Sequence, residues 1–202
     1  MKIGPKYKIA RRLGAFVFEK TQTPKFALVE TRTGKKGKFP RTRSEFGRQL
    51  IERQRTRFTY GITAGQLDNY AKKALETKIG TPAQALFRLL ERRLDNTLYR
   101  MGVASTRRLA RQMVSHGHIV VNGKKVNVPS FVVSSGDKIS VRTKSQKSLL
   151  FENLEEKLKD HTLPSWVSLD PKTYEGKVLT LPEMQQENLP YDLSSVIESA
   201  GR

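Results

Sequence analysis

The 202-residue sequence contains no cysteine, which excludes disulfides, thiolate metal sites and cysteine nucleophiles. That absence fits a reducing compartment. No run approaches the roughly 18 consecutive apolar residues of a membrane-spanning helix. The basic start "MKIGPKYKIARRLG" lacks an apolar stretch ahead of a small-residue cleavage site, so it reads as mature protein rather than a secretory leader. A phosphate loop of the G-x-x-x-x-G-K-[ST] type is missing. Histidine is scarce as well, with only His116, His118 and His161. A catalytic zinc normally takes three protein ligands, and His161 lies in a distant acidic tail, so neither metal nor cofactor is expected.

What is abundant is positive charge. There are 38 Lys and Arg against 19 Asp and Glu, a net charge of +19. Residues 1–60 carry +13, residues 61–150 carry +11 and residues 151–202 carry −5. Solubility alone asks for a net charge of about 2 to 8. An excess this large repels itself in a compact chain, and a polyanion relieves it by releasing its condensed counterions. Nucleic acid is therefore the expected partner class, with no membrane and no small-molecule substrate.

Along the chain, "TRTGKKGKFPRTR" (residues 31–43) combines cations, glycine and proline with little to bury. It makes residues 1–43 an expected extended basic arm, ordered by its partner. "SEFGRQLIERQRTRF" follows as a helix with Ser44 as N-cap and Glu45 favoured by the helix dipole. Phe46 and Leu50 form its expected apolar stripe. Arg48 and Arg55 fall opposite that stripe, and Arg53 and Arg57 flank it, so cations nearly surround the helix. Phe58 is expected to pack. Tyr60 fits packing or base stacking equally. "TAGQLDNYAKKALE" is a second helix burying Leu67, Tyr70, Ala71 and Ala74. "GTPAQALFRLLERRLDNTLYRMG" starts at Thr81 and Pro82, stops at Gly102, and is expected to bend or break near Arg92–Arg93.

The next stretch is "VASTRRLARQMVSHGHIVVNGKKVNVPSFVVSSGDKISVR". Ser105 caps an expected helix ending near Ser115. At about 100° per residue, Arg107, Arg108 and Arg111 share one side and Leu109 and Met113 the other. Guanidinium forks match phosphate oxygens, so this spacing suits an RNA backbone. Arg107→Ala with Arg111→Ala is expected to cost RNA affinity and leave unfolding nearly unchanged. Gly117 ends the helix, and "IVVNGKKV" is an Asn-Gly hairpin with Val121 opposite Lys124 and Ile119 opposite Val126. Ile119, Val121, Val126 and Val128 take one face, and His118, Lys125 and Asn127 the other. "FVVSSGDKISV" is expected to add two strands around its turn.

These motifs, with "GPKYKIARRLG", "SEFGRQLIERQRTRFTYGI" and "GTPAQALFRLLERRLDN" upstream in the same order and spacing, resemble the bacterial-type small-subunit ribosomal protein S-four family and its RNA-binding domain. A weaker likeness continues in "LPSWVSLD" and "GKVLTLPE". The resemblance implies an α+β fold: a mainly helical domain (residues 44–91 with 152–202) into which a small α+β RNA-binding domain (residues 92–151, two helices on a short antiparallel sheet) is inserted. It implies a primary binder of small-subunit ribosomal RNA that organises an RNA helix junction, helps nucleate subunit assembly and touches a neighbouring small-subunit protein at an interface linked to decoding accuracy. Messenger RNA is a further candidate partner. The ribosome of the cytoplasm is the expected location, with an organellar ribosome as alternative. The residues matching the family's RNA-contacting segments are Arg43, Arg48, Arg53, Arg55 and Arg57, then Ser105, Arg107, Arg108, Arg111, His116, His118, Asn122, Lys124 and Lys125. The family's N-terminal zinc cysteines are missing here, and residues 15–43 and "YDLSSVIESAGR" depart from its pattern.

An RNA-modifying enzyme would need a catalytic domain beside the small unit. Residues 151–202 are too short and too proline-interrupted for that. Asp95 in "RRLDN", the one acid weighed as catalytic, reads as an ion-pair partner of its arginine neighbours. The chain is therefore expected to be a binder, with a free-standing RNA regulator or modification accessory as the alternative.

Overall fold

In a computed structural model of the chain, the described residues are 3–33, 44–78, 80–148, 150–151, 154–159, 161–170, 173–184 and 189–200. They form an α+β protein of two compact units, Met1–Leu86 with Gln185–Arg202, and Phe87–Met184.

The first unit is helical. Helices α1 (Lys6–Leu13) and α2 (Pro24–Thr33) frame two short 3-10 turns. Together with Ile51 they bury Ala10, Leu13, Val17, Phe18 and Phe26. The rings of Tyr7 and Phe26 meet at 5.4 Å. The expected extended arm is thus corrected over residues 3–33: "AFVF" and Phe26 supply enough apolar surface to close a small core. The most basic stretch, residues 34–43 with Arg43, lies outside the described residues.

Helix α3 (Glu45–Tyr60) starts where Ser44 Oγ accepts from the Gly47 amide, and ends at Gly61 in the left-handed region. Helix α4 (Ala64–Glu76) opens with a reciprocal Thr63–Gln66 capping box and buries Leu67, Ala71 and Ala74, with Tyr70 only partly covered. The apolar stripe expected on α3 is overturned. Phe46 is 68% exposed and Leu50 38%, while Gln49, Ile51, Thr56 and Tyr60 are buried. The C-terminal helix α10 (Leu193–Ala200) packs on this other face. Gln49 donates to Glu198, and Tyr191 Oη donates to Tyr60 Oη at 2.8 Å, so hydrogen bonds replace part of the expected apolar contact. Phe58 packs against the α1–α2 core as expected.

The division between the units falls inside helix α5 (Pro82–Glu91). The break expected near Arg92–Arg93 is present. Arg93 is extended, and helix α6 (Leu94–Arg100) restarts behind it. "FVV" explains the interruption: Leu94 N donates to Phe131 O, Asp95 N to Pro129 O and Val133 N to Arg92 O. Val132 therefore bridges Arg93 instead of starting the strand expected there. Helix α7 (Arg107–Ser115) begins one residue later than expected, because Thr106 Oγ1, not Ser105, accepts from Leu109 N.

The hairpin strands β1 (Ile119–Val121) and β2 (Lys124–Val126) have the expected register. Asn122 at φ 50° and Gly123 at φ 78° make its primed turn. Strand β3 (Lys138–Val141) and the short helix α8 (Thr143–Gln146) follow, then α9 (Leu154–Lys159), β4 (Val167–Asp170) and β5 (Glu175–Val178). The antiparallel sheet runs β2-β1-β3-β5-β4. The expected small domain stopped at residue 151. The compact unit instead reaches Met184, because β5 pairs with β3 (Ile139 opposite Gly176) and extends the sheet. Ile119, Val121, Ile139, Val141, Val167 and Val178 cover one sheet face against Leu94, Leu98, Met101, Met113 and Val114. Val128, expected on that face, is exposed beyond the end of β2.

Candidate nucleic-acid interface

The corner from α7 into the hairpin is made by Gly117. Its φ of 73° is left-handed, and a Cβ there would run into the Lys125 side chain, whose stem crosses the glycine. His116 is exposed at the helix C-terminus, and its ring lies 6.1 Å from that of His118. His118 Nδ1 is 2.9 Å from Ser145 Oγ, and Arg142 N donates to His118 O at 2.8 Å. The segment after β3 is thereby folded onto the corner. Its Arg142 and Lys144 are exposed, as is Lys125 of the hairpin. Neither was foreseen from the sequence. The signal was the clustered cations of "VRTKSQK" directly after a strand, visible once the His118–Ser145 contact joins them to the hairpin.

The α7 arginines divide. Arg108 is exposed. Arg107 Nε donates to Asn96 Oδ1 at 2.7 Å, and its guanidinium lies 4.3 Å over the Tyr99 ring. Arg111 donates from Nε and Nη2 to Asp95 Oδ2 at 2.8 and 2.6 Å. Asp95, 3% exposed, also takes Arg93 Nε and Nη2 at 3.0 and 2.8 Å. Beside it, buried Glu91 receives Arg100 Nε and Nη2 at 2.7 and 2.9 Å and Asn96 Nδ2 at 2.9 Å. Arg107 and Arg111 therefore also reach inward, so the expectation that they only present their guanidiniums outward is corrected. The ion-pair reading of Asp95 holds, with distant Arg111 added to neighbouring Arg93.

The other candidates are spread over both units. Arg48 is exposed on α3. Arg53 pairs with Asp68 of α4. Arg55 donates Nε to Leu13 O at 2.7 Å and pairs with Glu52. Arg57 lies 4.6 Å over the Phe58 ring. Three of the four described α3 arginines thus act as ties within the helical unit. Asn122 is committed to its turn: Nδ2 donates to Asp137 Oδ1 and Oδ1 accepts from Lys138 N. Ser105 and Lys124 are exposed. Among the described residues, no group of three or more His, Cys, Asp or Glu is placed to hold a metal ion, and no helix is long and apolar enough to cross a membrane.

An antiparallel sheet backed by helices, with cations along a helix-to-hairpin corner and a separate helical unit, defines a basic module of the ribonucleoprotein class. Residues 92–139 match the S4 domain family, and residues 1–91 match the Ribosomal protein S4/S9 N-terminal domain. The "Small ribosomal subunit protein uS4" of Aquifex aeolicus is 43% identical, covering 97% of this chain and 96% of that protein. The protein of the same name from Roseiflexus castenholzii is 40% identical over 99% and 98% of the two chains. That from Corynebacterium kroppenstedtii is 46% identical over 82% of each. The chain belongs to the uS4 family of small ribosomal subunit proteins, which is structural and non-enzymatic.

Proposed function

We propose that this chain is a structural component of the small ribosomal subunit that binds the subunit's RNA through the helix-to-hairpin corner, organises an RNA helix junction and helps nucleate assembly. The observation that carries this reading is the set Arg108, Lys124, Lys125, Arg142 and Lys144. All five are exposed, and among the described residues none has a carboxylate partner. Left unpaired, they repel one another and gain by meeting phosphates. His116 and His118 complete the corner, and Arg48 supplies a further exposed cation on α3. The relatives' names support placement in the small subunit. Phe46 and Leu50, exposed together on α3, provide an apolar surface suited to a neighbouring ribosomal protein.

The test is to recover the protein from cells at moderate salt and follow its sedimentation. Co-migration with small subunits supports the proposal. Recovery only in free fractions, bound to messenger RNA or alone, overturns it.

A further inference from the structure

Three parts of the chain meet at His118. Just before it, Gly117 lets the Lys125 stem cross the backbone. Across from it, the β1–β3 register sets Ile119 opposite Val141, so Arg142 is the next residue out, and its N–H donates to His118 O at 2.8 Å. The imidazole adds a third tie. Its Nδ1 lies 2.9 Å from Ser145 Oγ, and its ring meets buried Phe151 in a T-shaped contact with centroids 6.2 Å apart. Residues 142–147 depend on these ties. Arg142, Lys144 and Lys147 are exposed, and Ser145, 9% exposed, is the one buried residue of the six. The segment has no apolar side chain with which to anchor itself. Its own turn closes locally, with Ser145 N donating to Arg142 O at 2.7 Å and Gln146 Nε2 to Val141 O at 3.2 Å. Those bonds shape the turn, whereas the two bonds to His118 fasten it to β1. A stretch with so little apolar burial opens readily, so the Ser145 bond weighs heavily on its order.

We propose that His118 and Ser145 are positioning residues for RNA binding: their hydrogen bond holds Arg142 and Lys144 where both meet phosphates, and the imidazole is not itself the RNA contact. This rests on the reading above that the corner meets RNA. It gives an RNA-contacting role to residues 142–147, which lie beyond the 92–139 matched by the S4 domain family. Ordering the segment before binding removes an entropic cost that the complex would otherwise bear.

The test uses the full chain and transcribed small-subunit ribosomal RNA. S145A changes no charge. It should weaken binding about three- to tenfold, the range of one hydrogen bond's net contribution. It should also flatten the log–log salt dependence by about 0.7 to 0.9 for each cation that loses its phosphate. Mere loss of folded protein would lower the affinity and leave that slope alone. In an R142A/K144A background S145A should have almost no further effect, because its role runs through those cations. Two substitutions of His118 separate positioning from direct contact. Asn sets its amide where Nδ1 sits, and Gln reaches where Nε2 sits. Positioning predicts that H118N binds within about twofold of wild type and that H118Q loses as S145A does; this pair decides the matter if S145A does not fold. Wild-type affinity and slope in S145A, wild-type affinity in R142A/K144A, a full further loss for S145A on top of R142A/K144A, or binding kept by H118Q and lost by H118N overturns the proposal. R108A/K124A/K125A is the control. If it is weakened while S145A is not, only the proposal falls. If it too binds like wild type, the corner is not the RNA surface, and the reading beneath falls with the proposal.

Discussion

Helices α3 and α7 are the two arginine-bearing helices whose sequences point most directly at RNA, and they use their cations differently. On α3, the guanidiniums of Arg53, Arg55 and Arg57 reach sideways to separate neighbours: Asp68, Glu52 with Leu13 O, and the Phe58 ring. On α7, Arg107 and Arg111 are held from a single helix behind them, Arg108 stays exposed, and the corner adds Lys125, Arg142 and Lys144. The lesson is that cation spacing along a helix does not say which charges reach outward. Competing acceptors decide that, and several come from other segments: Asp68 and Leu13 O for α3, Asp95 and Asn96 for α7.

The comparison breaks most sharply at the carboxylates. Asp95→Ala removes the buried carboxylate that Arg93, 3% exposed, and Arg111 share, at a cost of about 3–5 kcal/mol in denaturant unfolding. Asp68→Ala removes the partner of Arg53 from a pair exposed by 28% and 36%, so it should cost no more than about 1 kcal/mol. Equal costs would show that the two arginine sets are held alike. Met113→Ala, on the buried side of α7, should destabilise by about 2–5 kcal/mol through the cavity it leaves. Phe46→Ala should change stability by no more than about 0.5 kcal/mol, since that ring already faces solvent. A multi-kcal loss at Phe46 would restore the apolar stripe that the sequence suggests. Smallest in stability terms, Lys125→Ala with Arg142→Ala should leave the melting curve in place. Each lost contact should flatten the log–log salt dependence of RNA binding by about 0.7 to 0.9. An unchanged slope would take the corner lysine and arginine off the interface.

The hairpin register, the Ser44 cap and the stop at Gly117 were legible because each depends on residues close together in the chain; the break after Glu91 was legible from the length of the helical pattern, although distant residues 129–133 hold it. Misreadings arose where a distant segment intervened. Gln49 and Thr56 replaced Phe46 and Leu50 on the buried side of α3 once α10 supplied Glu198 and Tyr191. "FVV" bonded to the gap between α5 and α6 instead of pairing as a strand. Strands β4 and β5 extended the sheet because β3 had an open edge for β5. At the candidate site the basic face of α7 was readable, whereas Asn122 proved to be a turn residue and Arg142 joined through the Ser145–His118 contact.

Sequence alone determined the polyanion-seeking charge, the α+β class, the family and the local geometry of the helix-to-hairpin corner. The charge, the class and the corner follow from composition, from periodicity and from short-range backbone preferences, and the family from the resemblance of its motifs. Tertiary structure alone decided which cations face outward and which are tied inward, and that Asp95, four positions after Glu91, would hold an arginine sixteen residues ahead of it. A guanidinium takes whichever acceptor lies nearest in space, and proximity in space across helices is not written in the spacing of either one.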